Sequence, residues 1–178
     1  KTMTVSLVEA KSTDFTRSNL TWNNRPGTGN ELATVVIERS SARKEYIPVG
    51  TKLVDYVNGK LASMESEVAF AIKFKEGDGG DFSWCGGAGD GSYGPQLNMD
   101  LVKPVTIDTI TVIEDAYVLE AYPDSTGEGI ADMQIGRDDA NSADKETLVK
   151  FPLEEKESPV GKVTLVLKGS IKDTNPDQ

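Results

Sequence analysis

Leu20-Thr21-Trp22-Asn23-Asn24-Arg25-Pro26 and, further along, Tyr93-Gly94-Pro95-Gln96-Leu97-Asn98-Met99 are the two stretches on which the fold of this chain turns. A tryptophan set among small amides and closed by an Arg-Pro-Gly turn is a poor helix start and a poor reactive centre. It suits the rim of a β-sandwich, with the indole turned inward and the amides bonding loop backbone.

Outward from that rim the chain reads as strands. Across residues 2–9, Met3, Val5 and Leu7 alternate with Thr4 and Ser6, a period of two. Residues 11–30 are a polar loop, and the β-branched residues 33–39 form a second strand. Val68, Phe70, Ile72 and Phe74 share one face of a strand over residues 68–74, and that face is core. Residues 96–102 form another strand; residues 105–118 are extended, either as a linker strand or as two strands bent near Asp108 or Glu114. Strands over 146–151 and 162–168 follow, the last placing Val163, Leu165 and Leu167 on one face. Val49, Leu53, Val54 and Val57 have helical spacing between Gly50-Thr51 and Asn58-Gly59, which predicts a short helix capping one end. The fold class is all-β, a jelly-roll-like antiparallel β-sandwich with one short helix.

The run LTWNNRP, the segment VGTKLVDYVNGK, the strand VAFAIKF and the closing GPQLNMDL resemble the disaggregatase-related (DNRLRE-type) β-sandwich family, whose relatives include carbohydrate-binding modules. The opening half of that family resembles what comes last here: Asp115-Ala116-Tyr117-Val118, Gly127 to Gly129, Met133-Gln134-Ile135-Gly136 and Thr147-Leu148-Val149-Lys150-Phe151. The resemblance therefore implies a permuted order, with residues 1–103 as the second half of a sandwich and residues 104–178 as the first. In the family order the strands 162–168 and 2–9 are consecutive. Joining Gln178 to Lys1 would make residues 169–178 a hairpin loop and pair Met3, Val5 and Leu7 with the strand of Val163, Leu165 and Leu167 as assembly strands. Three arrangements fit: a circular permutant, one repeat cut from a tandem array, or a filament protomer whose halves complete their neighbours. Each half alone would leave sheet edges and half a core uncovered. The extended stretch after Pro104 favours repetition or polymerisation.

Composition limits the partners. The 178 residues carry 19 basic and 29 acidic side chains, a formal charge of −10, which argues against nucleic acid, an anionic membrane, or an anionic glycan without a bridging cation. No stretch approaches the ~20 apolar residues of a membrane helix, so no membrane insertion is expected. The first residues lack a signal-peptide pattern, which leaves a cytosolic chain or a mature, excised or partial product; the resemblance favours an extracellular or cell-surface place.

With no histidine, Ser-His-Asp, Cys-His and histidine-metal sites are excluded. Cys85 forms no internal disulfide, and in Trp84-Cys85-Gly86-Gly87 it has no base to activate it. The carboxylates form no recognisable catalytic pair, so no enzyme is expected. No cofactor is required. Calcium is the cation that Asp78, Asp81 and Asp90 in one glycine-rich loop, or Asp138, Asp139 and Asp144 in another, could hold, although neither has EF-hand spacing. For a glycan, Trp84, Tyr93 and Phe82 are the leading stacking residues and Tyr122 the next; Trp22, Phe70, Phe74, Tyr117 and Phe151 are assigned to the core. The expected function is a non-enzymatic extracellular structural or adhesive repeat, or filament subunit, that assembles with itself head to tail. The alternative is a carbohydrate-binding module.

Overall fold

The computed structural model describes residues 2–38, 44–77, 80–85, 94–101, 107–126, 132–138, 143–154 and 160–172. In chain order they form β1 (Thr2–Ala10), β2 (Thr28–Glu38), β3 (Lys44–Tyr46), α1 (Lys52–Ala62), β4 (Glu67–Gly77), β5 (Gly80–Cys85), β6 (Gln96–Leu101), β7 (Ile107–Thr111), β8 (Glu114–Leu119), β9 (Asp132–Asp138), β10 (Ala143–Pro152) and β11 (Val160–Lys172). Ladders run in the order β2-β1-β4-β10-β9-β5-β11-β6-β7, with β8 on β10 and β3 on β11. The pairings are antiparallel, and the result is an all-β sandwich with one short helix.

Period-two strands explain its core. Met3, Val5 and Leu7 of β1, Val68, Phe70 and Ile72 of β4, and Val149 and Phe151 of β10 meet Leu97 and Met99 of β6, Met133 and Ile135 of β9, and Val163, Leu165 and Leu167 of β11. Phe70 stands edge-on between Tyr56 and Phe151, with ring centroids 5.7 and 6.1 Å away. The helix closes one end by burying Leu53 and Val57 in this core. Asn58 does not end it. Its amide donates to the Val160 carbonyl at 2.8 Å and accepts from the Val160 N–H at 3.0 Å, tying the helix to the start of β11. The helix runs on to Ala62 and stops at Met64, whose φ of 54° is left-handed; Glu65 N–H bonds the Lys60 carbonyl and Met64 N–H the Leu61 carbonyl.

Several expected boundaries move. Residues 80–85, read as loop, are an interior strand between β9 and β11. Residues 105–118 do split near Glu114, but β7 folds back on β6, with Asp100 opposite Ile107 and Gln96 opposite Thr111. The stretch after Pro104 therefore begins a hairpin and not an extended connector. β11 does not turn at Gly169: residues 167–169 pair with β3 and 170–172 with β5.

The hairpin between residues 2–9 and 162–168 is absent. Along its length β1 lies between β2 and β4, while β11 pairs with β6, β3 and β5. The assembly strands of Met3, Val5, Leu7 and Val163, Leu165, Leu167 thus contribute to one core without pairing. The two ends nevertheless come to the same place, since Met3 pairs with Gly77 and Lys172 with Asp81, on either side of the β4–β5 connection. Gly77 has φ 135°, and a Cβ there would strike the Thr2 carbonyl and come within 2.7 Å of Met3 Cα, so glycine is required.

The β2 edge is closed at two points. Thr34 exchanges backbone bonds with Val49 at 3.2 and 2.9 Å, and the Tyr46 hydroxyl donates to the Glu38 carbonyl at 3.2 Å. Residues two apart direct their backbone groups to the same side of a strand, so only Val36 lies open between these caps.

Candidate functional site

Strands β1, β4, β8 and β10 are buried on both faces. Away from the main core they present Val8, Ala10, Ala69, Ala71, Ala116, Val118 and Leu148, and this second apolar surface is covered by Phe15 and Leu20, with Trp22 packed at its margin. The cover is a strap formed by residues 11–27, whose base is closed by Lys11 N–H on the Gly27 carbonyl at 2.9 Å. The alanines on the sheet leave room for the two large strap side chains, so the strap substitutes for a third layer.

The LTWNNRP amides do bond loop backbone. Asn24 accepts from Thr21 N–H at 2.7 Å and donates to the Asn19 carbonyl at 2.8 Å. The indole is only half-buried, because the Arg25 guanidinium covers its ring at 3.6 Å and also donates to the Trp22 carbonyl at 2.6 Å. Trp22 belongs to the strap and not to the inter-sheet core. Phe74 likewise is only partly buried against the main core, whereas Phe70, Tyr117 and Phe151 are in it.

Charges under the strap hold it down. Glu146 is buried on β10 and accepts from Arg25 Nε at 3.1 Å and pairs with Lys73 Nζ at 2.9 Å. Lys150, two residues along the same face, is also buried; it donates to the Thr13 and Phe15 carbonyls at 3.1 Å each and lies 5.3 Å from the Phe15 ring. Its third partner is Glu67 at 3.7 Å. At the strap's far end Asn23 N–H bonds the Pro123 carbonyl at 2.9 Å, and its side chain donates to Asp124 at 2.7 Å. Arg17 N–H reaches Glu114 at 3.4 Å. Each of these strap partners (Glu114, Pro123, Asp124, Glu146, Lys150) comes from residues 104–178.

Of the four stacking residues, Tyr122 is the one whose side chain can be placed: it is 63% exposed on the turn after β8, beside the Asn23–Asp124 pair. An exposed ring offers the kind of apolar face on which a neutral pyranose stacks. Phe82 and Trp84 sit on β5, opposite Ile135 and Met133 in register, not on a loop tip. Tyr93 lies outside the described residues.

Of the acidic candidates, Asp81 is on β5 opposite Gly136, Asp138 ends β9 opposite Ala143, and Asp144 on β10 pairs with Arg137 in register. Asp144 meets Glu120 through its own main chain: its N–H donates to the Glu120 carboxylate at 3.0 Å and its carbonyl accepts from the Glu120 N–H at 3.0 Å. Asp78, Asp90 and Asp139 lie outside the described residues. Among the described residues no three acidic, Cys or His side chains group to hold a metal, and no helix is long and apolar enough to cross a membrane. Burial raises the hydroxyls of Tyr56, Tyr117 and Tyr46 above their ordinary pKa, as befits packing groups.

Glu146 and Lys150 were not singled out by sequence reasoning. The signal was there: on β10 Leu148 lies between two charges on the face opposite Val149 and Phe151, so an apolar residue had to be covered together with its charged neighbours.

No family model, curated protein or solved structure matches this chain.

Proposed function

We propose that this chain is a non-catalytic structural or adhesive β-sandwich unit, working outside the cell or on its surface, whose two halves complete one another. One observation carries the reading: residues 1–103 and 104–178 are interleaved and not side by side. β4 pairs with β10, β5 with β9, and β6 with β11, each ladder joining one half to the other. Neither half encloses the core. The pairings are made here within one chain, and the same pairings made with the matching half of a neighbour would link units head to tail at no change in contacts. In such an exchange β7 would leave β6 of its own chain and pair with β6 of the neighbour.

The test is to refold the intact chain at high and at low concentration and measure mass by light scattering. Exchange gives multiples of 19.2 kDa from the concentrated sample, which return to monomer on dilution and mild warming. Monomer alone under all conditions overturns the assembling form of the reading. A second reading, a carbohydrate-binding module, is favoured by the exposed Tyr122 beside Asn23 and Asp124. Glycan binding that is lost in Tyr122→Ala with an unchanged melting curve supports it; binding that survives that substitution removes this site.

A further inference from the structure

We infer that the strap of residues 11–27 is the selective interface by which residues 1–103 recognise a 104–178 half, the partner in an assembly being a second copy of this chain. This rests on the half-exchange reading above and adds what decides which half is accepted. Backbone ladders such as β4–β10 offer the same N–H and C=O groups to any strand of suitable register, so they hold without discriminating. Discrimination needs side chains that are costly to leave unpaired.

The strap supplies them in both directions. It brings the cation of Arg25 to the buried Glu146, and the sheet returns the cation of Lys150 to the Thr13 and Phe15 carbonyls. Asn23 and Asp124 add a neutral-to-anion bond at the rim. A half lacking Arg25 would leave Glu146 with Lys73 alone under an apolar cover; a half lacking Lys150 would take the buried cation from the Phe15 carbonyl and leave the Thr13 carbonyl with the Phe15 N–H alone. Phe15 and Leu20 also pack in one cluster with Ala116, Val118 and Leu148 of the 104–178 half, so bulkier side chains there would be refused as well.

Charge exchange between copies tests this. Arg25→Glu sets two carboxylates together within one chain, and Glu146→Arg sets a new cation beside Arg25 and Lys73. Either variant alone repels itself, in monomer and in self-exchanged dimer alike. Mixed and refolded at high concentration, the two offer each strap its opposite charge only across chains, so the mixed dimer should exceed either self-paired dimer by at least about tenfold. The double variant in one chain should again pair within itself and form no excess of mixed dimer, although the repulsion at Lys73 remains. An unbiased mixture, under conditions where the wild type forms dimers, overturns the selective role of the strap and leaves the exchange reading standing. If the wild type forms no dimer, that reading falls, and the strap is judged in the monomer: Glu146→Gln, which keeps the shape, should let the amides of residues 11–27 exchange with solvent at least about tenfold faster than in wild type while β1 stays protected. Strap amides as protected as those of β1 overturn it there too.

Discussion

The two faces of β1, β4 and β10 are both buried, yet they are held by different physics. The inner face meets another sheet, and large aliphatic and aromatic side chains interlock there. The outer face meets a strap without periodicity, over alanine, valine and leucine, and its covering is fixed by Glu146, Lys150 and a few amides. A sheet covering a sheet has its own ladders to keep it in place. A loop covering a sheet has none, and specific polar ties hold it instead.

Phe70→Ala should break the inner face and cost about 3–5 kcal/mol in denaturant unfolding, since the ring is fully buried between Tyr56 and Phe151. Lys150→Met keeps the length but removes the cation that bonds the Thr13 and Phe15 carbonyls, leaving Thr13 with the Phe15 N–H alone; a loss of about 1–3 kcal/mol is expected, with hydrogen exchange rising first around residues 13–15. An equal rise in exchange across β1 and β4 would erase the distinction between the faces.

Alkaline pH sharpens it from the other side. Tyr56 and Tyr117 both lie against the inner core, and burial is the leading cause raising each hydroxyl above its ordinary 10.0. The folded state thus keeps protons that the unfolded chain gives up. Their contribution is fully present below about pH 10 and is lost as pH rises beyond it, which the pH dependence of the urea midpoint will show. Smallest is a change outside both faces: Met64→Gly relieves a left-handed residue that is fully solvent-facing and should add about 0.5–1 kcal/mol, measured as a higher melting temperature.

What was legible in the sequence follows the same division. Met3, Val5 and Leu7, or Val68, Phe70 and Ile72, announce the inner face because one side of a strand against one core is a period of two. The outer face was half legible: Ala69 and Ala71 are apolar where a solvated strand would be polar, but nothing local says which segment covers them. Phe15 and Leu20 sit in a stretch rich in Ser, Thr and Asn whose composition reads as exposed loop. β5 was hidden for a related reason. Gly80, Asp81 and the glycines that follow Cys85 suppress local strand propensity, and partners on both sides outweigh it. Trp22 is assigned to the core from the sequence, and the structure packs it half-buried at the margin of the outer cluster, where Arg25 covers its ring and reaches Glu146. Tyr122, ranked in the sequence after Trp84, Tyr93 and Phe82 as a stacking residue, is exposed on its turn.

The caps on β2 carry a last consequence, for concentrated solutions of this protein. A growing fibril needs a template of about six residues with free backbone groups. With Thr34 engaged by Val49 and Glu38 by Tyr46, the uncapped span between them is one residue, Val36. Its side chain is exposed, as is that of Val49, so the greasiest part of the rim is also the part where a stacking strand finds no footing. Over residues 34–38 crowded copies are thereby denied the disordered route of edge-on-edge accretion, and contacts that the fold itself specifies are favoured there.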